Sequence, residues 1–390
     1  MSKKKVLAVT GIRSEYDIIY PVLKTLRDHD EFSVKVAVCG AHLSTWHGKT
    51  VDTIIQDGFE IADRIDSLFV TDRLTQRAKA VGLLVGGLSQ TVERENPDFI
   101  YVDGDREESL AAAIVGNYQQ KLVVHAGGGD TVYGNADDPV RFAVSKLAHI
   151  HLPIIQQYAD NIKNIGEEQF RIFTVGNPAL DNIRQVPLIA EEVVRDFLQF
   201  DIQPGKYLVI LKHPLSSEKE SSAYQMKIAL EICAEFCAKH DMKAVGIYPN
   251  TDPGAGEMVR MIDQYQESAS IKFFKTLPRH IFINVLRQAR CLVGNSSMGL
   301  VEAPFYKLPV VNIGHRQLGR INAGNVEFVE YNKEQIVQAI EKACFDQTYR
   351  ESLKDIQYYF GDGHTAEKIK DVLLSVNQDD KNWYIKRKLC

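Results

Sequence analysis

The sequence predicts an α/β protein built from two Rossmann-like domains. Three observations predict it. Short apolar runs of strand length alternate with longer stretches of helical spacing along the whole chain. Each apolar run closes on a polar or Gly-rich step, as strands of an open parallel sheet do where ligands bind. The pattern also runs twice, on either side of Gly176-Asn177-Pro178, in a chain of 390 residues that is long enough for two domains of ordinary size.

In the first half, residues 5–10 form a strand. Gly11-Ile12-Arg13-Ser14-Glu15-Tyr16-Asp17 follows as a turn, and residues 18–27 have helical spacing. The turn lacks G-x-G-x-x-G, which weakens a nicotinamide-dinucleotide reading. Arg13 sits where a phosphate or sugar oxygen could meet it, or is a surface arginine. Residues 33–39 are a strand whose carboxyl end carries His42, although lone histidines are more often structural. Residues 54–63 bring another short strand, 73–95 a long helix, and 98–103 and 122–125 two buried strands. Residues 140–152 read as helix and carry Lys146, His149 and His151. Two histidines at that spacing on a helix point apart, which argues against a metal site. Residues 171–175 read as a last strand before 176–182 breaks the pattern.

The second half repeats the scheme, with strands at 207–212, 244–248, 271–274, 291–294 and 309–313 and helical patterns such as 222–240 between them. His213-Pro214 follows the first strand and Pro249-Asn250-Thr251-Asp252 the second. Gly294-Asn295-Ser296-Ser297-Met298-Gly299 follows the fourth. Amides at such a strand-to-helix turn, with two hydroxyls, make a phosphate cradle; an ordinary Ser N-cap has the same sequence signature. Glu302 lies one turn further on, where a carboxylate can accept both hydroxyls of a ribose. Gly314-His315-Arg316-Gln317-Leu318-Gly319-Arg320 adds two arginines, and the last helices include 365–376. The expectation is a cleft between the two domains, faced by polar strand ends from both.

Chemistry concentrates between Asp103 and Arg141. Asp103-Gly104-Asp105-Arg106, His125-Ala126-Gly127-Gly128-Gly129-Asp130 and Asp137-Asp138-Pro139-Val140-Arg141 bring five carboxylates and two arginines to two strand ends and a loop. Crowded carboxylates can be pushed apart in proton affinity, which suits acid and base work. Any one of these residues also fits a helix cap or a turn; the set with both arginines exceeds what turns need.

Composition bounds the partners. Hydrophobic residues make up 45% and charged residues 25%, as in a soluble globular protein. The formal net charge of −5 gives no global attraction for nucleic acid or an anionic membrane. Neither is expected as a partner. Cys39, Cys233, Cys237, Cys291, Cys344 and Cys390 are scattered without a Cys-x-x-Cys pair, so no metal is expected and a reducing cytoplasm is. The N-terminus lacks a secretory apolar region, and no apolar run is long enough to span a bilayer.

Taken in order, the motifs resemble those of the hydrolysing UDP-N-acetylglucosamine 2-epimerases that open sialic acid biosynthesis. The markers are Gly11-Ile12-Arg13-Ser14-Glu15-Tyr16, Gly104-Asp105-Arg106, Asp137-Asp138 with Arg141 and Lys146-Leu147, and Gly176-Asn177-Pro178-Ala179-Leu180-Asp181-Asn182. In the second half they are His213-Pro214, Tyr248-Pro249-Asn250, Gly294-Asn295-Ser296-Ser297, Glu302-Ala303-Pro304, Arg316-Gln317 and Gly361-Asp362-Gly363. Single motifs are weak and the ordered series is strong. The resemblance implies the glycosyltransferase-B fold, with a first domain of 1–182 plus a returning C-terminal helix at 365–390, and a nucleotide-binding domain of 183–364. It implies that Arg13, Arg106, His213 and Asn250 line the nucleotide-sugar and diphosphate region, with Asp17 and His42 in the same set. Ser296 and Ser297 would hold phosphate, Glu302 the ribose, Leu277 the base through its backbone, and Arg316 would sit near the diphosphate. Asp105, Asp130, Asp137 and Asp138 would transfer protons at the sugar, and His213 joins them as a catalytic candidate.

Four positions depart from the family's pattern. Asp130 stands where a Glu is usual, and Gly127 where a His or other polar residue is usual. Arg320-Ile321 replaces Arg-Glu, and Val301 replaces an Arg before Glu302. The reaction implied removes the C2 proton, expels UDP from C1 to leave a 2-acetamidoglucal, adds water at C1 and returns a proton to the opposite face of C2. It needs no redox cofactor or metal. The expected partners are the nucleotide sugar and UDP, in a dimer or tetramer of this chain. Three alternatives stay open: the same reaction on a GDP-linked diacetamido sugar of legionaminic acid synthesis, a glycosyltransferase of the same fold, and a nucleotide-sugar sensor.

Overall fold

The structure, a computed structural model, describes residues 3–69, 71, 73, 75–132 and 137–386. The chain divides into two compact units. The first comprises Met1–Thr131, Ala136–Arg184 and Phe360–Cys390, and the second Val132–Asn135 and Gln185–Tyr359. In chain order the first contributes β1 (Lys4–Thr10), α1 (Arg13–Arg27), β2 (Phe32–Cys39), α2 (Val51–Gln56), β3 (Glu60–Ile65) and α3 (Thr75–Glu95). It continues with β4 (Phe99–Asp103), α4 (Glu107–Tyr118), β5 (Leu122–Ala126), α5 (Asp137–Leu147), β6 (Ile150–Leu152), α6 (Gln156–Asn164) and α7 (Ala179–Gln185). The second holds α8 (Glu191–Leu198), β7 (Tyr207–Leu211), α9 (Ser222–His240), β8 (Lys243–Ile247), α10 (Ala255–Asp263), β9 (Ile271–Phe274) and α11 (Arg279–Gln288). After these come β10 (Cys291–Gly294), α12 (Met298–Val301), β11 (Val310–Ile313), β12 (Val326–Val329), α13 (Lys333–Phe345) and α14 (Gln347–Ser352). Finally α15 (Thr365–Ser375) rejoins the first unit.

Each unit holds one six-stranded sheet, ordered β3-β2-β1-β4-β5-β6 in the first and β12-β11-β10-β7-β8-β9 in the second. Every strand pair is parallel. These are two copies of one doubly wound order, and the predicted α/β, Rossmann-like class is what the chain adopts. Parallel strands are covered on both faces, so they read as unbroken apolar runs. In β4, Tyr101 packs towards α1 and α15, while Ile100 and Val102 pack towards α3 and α4. In β7, Leu208 and Ile210 face α9 and α13, while Val209 and Leu211 face α8 and α11. The strand order reverses between β1 and β4 and again between β7 and β10. Such reversals open a crevice at the carboxyl ends of the strands. Among the described residues no helix is long and apolar enough to cross a membrane.

Four local readings are corrected. Helix α1 starts at Arg13 rather than at residue 18, because Glu15 folds back to accept the Gly11 N–H at 3.0 Å and the Thr10 hydroxyl at 2.9 Å. Residues 51–56 are helix, ended by Gly58 at φ +84°, and the strand begins only at Glu60. Residues 150–152 are not the end of a helix but the edge strand β6, paired with β5. His149 therefore precedes the strand and His151 lies within it, and His149 Nδ1 accepts the Val123 N–H at 3.1 Å. Residues 171–175 make one bridge, Ile172 to His151, and no strand. Their backbone still runs beside β6, the Phe173 and Val175 N–H groups donating to the carbonyls of His151 and Pro153, and the buried Arg171 guanidinium donates to the carbonyls of Trp383 at 2.7 Å and Ile385 at 3.0 Å. That side chain ties the C-terminal segment to the first unit. Lys4 Nζ does the same from β1, donating to the carbonyls of Leu373, Leu374 and Val376 at 2.8–3.0 Å.

Candidate active site

In the first unit the groups at the ends of β4 and β5 form one hydrogen-bonded assembly. The β4 strand delivers Asp103, and Gly104 at φ +67° turns the chain so that Asp105 follows in the loop. Arg141, from α5, pairs with the Asp105 carboxylate and donates to the Gly127 carbonyl at 2.7 Å. His125 braces the same corner. Its Nε2 lies 2.8 Å from the Gly104 carbonyl, which only accepts, so Nε2 carries the proton and Nδ1 accepts from Ser145 at 3.0 Å. Burial pushes this ring down to about 3, so it is a neutral strut.

Asp103 has a different character. Burial, opposed by Arg141 and reinforced by Asp105, pushes its carboxyl up to about 7. A Cβ on Gly127 would stand 3.5 Å from Asp103 Oδ1, so the glycine leaves this carboxyl open where a larger residue would crowd it. Asp103 stood in the acidic cluster of the sequence without a role of its own. Its near-neutral pKa depends on burial and on Arg141, neither of which a local sequence shows.

Beneath this assembly lies a buried acidic layer. Arg106 precedes α4, donating from Nε to Glu108 at 3.3 Å and lying 3.7 Å from Glu107. Glu107 also meets Arg77 at 2.5 Å. Burial raises Glu108, with Arg106 opposing. Burial and then Glu108 raise Glu15 to about 8. Gly11 is required here, since a Cβ would lie 1.8 Å from Glu108 Oε1. His42 is fully buried, with Nε2 3.2 Å from Thr10 and Nδ1 2.7 Å from Thr50. Burial lowers it to about 3. Both ring nitrogens are thus engaged by buried threonine hydroxyls, so His42 is held inside the unit. Arg13 and Asp17 pair at 3.2 Å on the first turns of α1, and the Asp17 carbonyl accepts from Asn182. Asp130 is buried three residues beyond Gly127, and Asp138 is half-buried in the first turn of α5. Asp137 opens that helix, but its side chain lies outside the described residues.

In the second unit the ends of β7 and β10 are clamped together. The His213 N–H donates to Asn295 Oδ1 at 2.7 Å, and Asn295 Nδ2 returns a bond to the His213 carbonyl at 2.9 Å. The Asn250 N–H donates to His213 Nδ1 at 3.2 Å, so the proton sits on Nε2. Burial, then Arg316 and Lys212, lower this ring to about 3. His213 is therefore neutral and offers an N–H donor. The Asn250 carboxamide is taken up by Asp252, to which it donates at 2.6 Å. The Asn295 carbonyl gathers Arg316 Nη1 at 3.2 Å and Gln317 at 3.0 Å. Asn295 is a positioning residue that the sequence offered only as a neighbour of two serines.

Ser296 and Ser297 are half-buried in the turn after Gly294. Ser297 precedes α12 without making a capping bond, so the cap alternative does not use its hydroxyl. Glu302, half-buried, follows α12 directly. Leu277 is buried with its side chain in the core of the unit. Arg316 Nε is buried with no hydrogen-bond partner among the described residues. Among the described residues no group of three or more His, Cys, Asp or Glu could hold a metal ion.

Two doubly wound units of one strand order, with the C-terminal helix returned to the first, make the glycosyltransferase-B fold. The chain belongs to the UDP-N-acetylglucosamine 2-epimerase family, whose model matches residues 24–374. It is 31% identical over 375 residues to a UDP-N,N'-diacetylbacillosamine 2-epimerase (hydrolyzing) of Legionella pneumophila, covering 96% of each chain. It is 28% identical to a UDP-N-acetylglucosamine 2-epimerase of Neisseria meningitidis, over 87% of this chain and 88% of that one. A crystal structure of the UDP-GlcNAc 2-epimerase from Neisseria meningitidis, bound to UDP-GlcNAc, shares the fold with a TM-score of 0.81. That match has 18% identity and covers 95% of this chain and 100% of that one.

Proposed function

We propose that this chain is a hydrolysing 2-epimerase that converts UDP-N-acetylglucosamine to N-acetylmannosamine and UDP. Family membership supports the reaction class. The observation that carries the chemistry is the Asp103–Asp105–Arg141 assembly, in which one carboxyl is ion-paired and its neighbour holds a proton near neutral pH. A carboxyl that holds its proton near neutral pH beside an ion-paired one suits paired acid and base steps.

On this reading Asp105 takes the C2 proton. The C–H electrons form the C1=C2 bond, and the C1–O bond breaks with its electron pair leaving on UDP. Water then adds its oxygen to C1 of the 2-acetamidoglucal, and an acid on the other face gives C2 a proton. Asp130 and the Asp137–Asp138 pair are the candidates for that acid, and Asp103 relays protons with Asp105. Positioned acids and bases of this kind contribute roughly 10²–10⁴-fold. Arg13, Arg106 and the His213 Nε2–H stabilise charge on the departing diphosphate, as fixed donors do for developing anions. Ser296, Ser297 and Arg316 hold phosphate, Glu302 the ribose and the Leu277 backbone the base.

The test is turnover of UDP-N-acetylglucosamine in heavy water without an acceptor. The expected products are UDP and N-acetylmannosamine carrying deuterium at C2. Release of N-acetylglucosamine without C2 deuterium overturns the epimerase reading, and a need for an acceptor points to a transferase. A second substrate is favoured by a specific observation: the 31% identical Legionella pneumophila protein is named for N,N'-diacetylbacillosamine. Its UDP-linked form belongs in the same assay, and the higher kcat/KM decides between the two sugars.

A further inference from the structure

The geometry assigns a second role within the second unit: Lys212 is the charge-compensating group for the nucleoside diphosphate, and binding of UDP draws a proton onto it. The inference rests on the reading that this unit holds UDP.

Lys212 directly follows β7 and is fully buried. Leu208 and Ile210 precede it at even spacing and face α9 and α13, so its side chain leaves the strand on that side of the sheet. Nζ donates to the Tyr331 hydroxyl at 3.0 Å and lies 4.8 Å from the centre of that ring. Tyr331 comes two residues after β12, the far edge of the order β12-β11-β10-β7. Lys212 from β7 and Tyr331 from beyond β12 therefore meet across the carboxyl-end side of β10 and β11, the strands whose following turns carry Ser296, Ser297 and Arg316. Both turns open on glycines that permit this approach. A Cβ on Gly294 would meet the Leu211 carbonyl at 2.0 Å, and one on Gly314 the Tyr331 hydroxyl at 2.4 Å.

The tyrosine hydroxyl matches one of three ammonium donors, and among the described residues no carboxylate forms an ion pair with Nζ. The charged groups around it are committed elsewhere. Glu218, before α9, accepts from Gln225 at 2.6 Å and meets His315 at 2.9 Å. Glu330, before Tyr331, meets His315 at 2.9 Å. Lys333, at the start of α13, pairs with Glu235 at 2.8 Å. Arg316 contributes like charge, and His213 is neutral. Burial is the largest influence and pushes Lys212 down to about 7, with Glu218 opposing and Arg316 adding. A buried ammonium without a counter-ion is unfavourable until an anion arrives. A diphosphate on the turns above supplies that anion and favours the charged form.

The sign of the linkage follows. At pH 8 the free lysine is mostly neutral, and bound UDP raises its proton affinity, so binding takes up a proton and weakens as pH rises. The terminal phosphate of UDP, with a pKa of about 6, is already ionised there and does not contribute. The test is calorimetry of UDP binding to the full chain at pH 8 in two buffers of different ionisation enthalpy. Wild type is expected to take up roughly 0.5–1 proton per UDP. K212R, always charged, should bind about as tightly as wild type and take up none. K212M should take up none and bind about tenfold more weakly, while melting no lower than wild type. UDP binding without proton uptake in wild type, or uptake that persists in K212R, overturns the role of Lys212 and leaves the UDP site standing. Failure of wild type to bind UDP removes both. If K212M does not fold, K212R alone decides.

Discussion

Asp103→Asn is expected to stabilise the protein while disabling it. The carboxyl is held up to about 7 against an ordinary 3.8, so the folded chain keeps a proton that the unfolded chain releases. Stability therefore falls as pH rises from the unfolded value to the folded one, and the loss is complete above it. Each pH step in that window costs about 1.4 kcal/mol, or about 2.7 kcal/mol between pH 5 and pH 7. Water at the partly exposed strand end screens some of this, leaving about 1–2 kcal/mol as the expected difference. Asparagine keeps the shape and removes the penalty. Urea unfolding at pH 5 and pH 8, with m-values checked for constancy, measures it. The variant should gain on wild type by about 1–2 kcal/mol more at pH 8 than at pH 5. Its turnover should fall about 10²-fold, as for loss of a proton-transfer group. A stability difference that is the same at both pH values refutes the argument, because it would mean that Asp103 titrates normally.

Asp105→Asn should nearly abolish turnover while UDP binding survives; a wild-type kcat would remove Asp105 from the mechanism. Ser297→Ala and Glu302→Ala should each weaken UDP binding by about 1.5–3 kcal/mol, the cost of one hydrogen bond to a charged group. Unchanged calorimetric affinity in both variants contradicts the phosphate and ribose roles. Arg171→Met strips donors from the carbonyls of His149, Asn382, Trp383 and Ile385, and should cost about 3 kcal/mol or more. Hydrogen exchange should show the segment after α15 opening first, and unaltered protection there would count against its anchoring by Arg171.

The strands were legible because parallel sheets bury both faces, so β1, β4, β5, β7 and β10 read as unbroken apolar runs. What escaped was short or held from afar. Three residues of β6 have no period of their own, and the helical pattern before them runs on through them. The extended run after Arg171 looks like a strand, but it makes only the single bridge of Ile172 to His151. The site was legible where residue type alone states the chemistry, as in Gly104-Asp105-Arg106 or the serine pair after Gly294. It was not legible where function depends on what lies opposite. Asp103 holds its proton through burial and the neighbouring Asp105 charge, against Arg141. The buried Glu108 of α4 fits only because Gly11, after β1, leaves room for it. Asn295 becomes a clamp only because β10 lies beside β7 in the sheet.

The return of the chain to its first unit has a consequence for synthesis. Ala366, Ile369, Leu373, Val376 and Trp383 belong to the same apolar core as Val6, Tyr16 and Tyr101. During translation the part of that face covered by α15 stays open until α15 emerges, after every strand and helix of the second unit has been made. At about 5–20 residues per second, making the stretch from Leu152 to Thr365 takes about 10–40 s. The nascent first sheet thus carries an exposed apolar face while the second unit can already close. In a cell short of chaperones, loss of this protein should begin at that unfinished face.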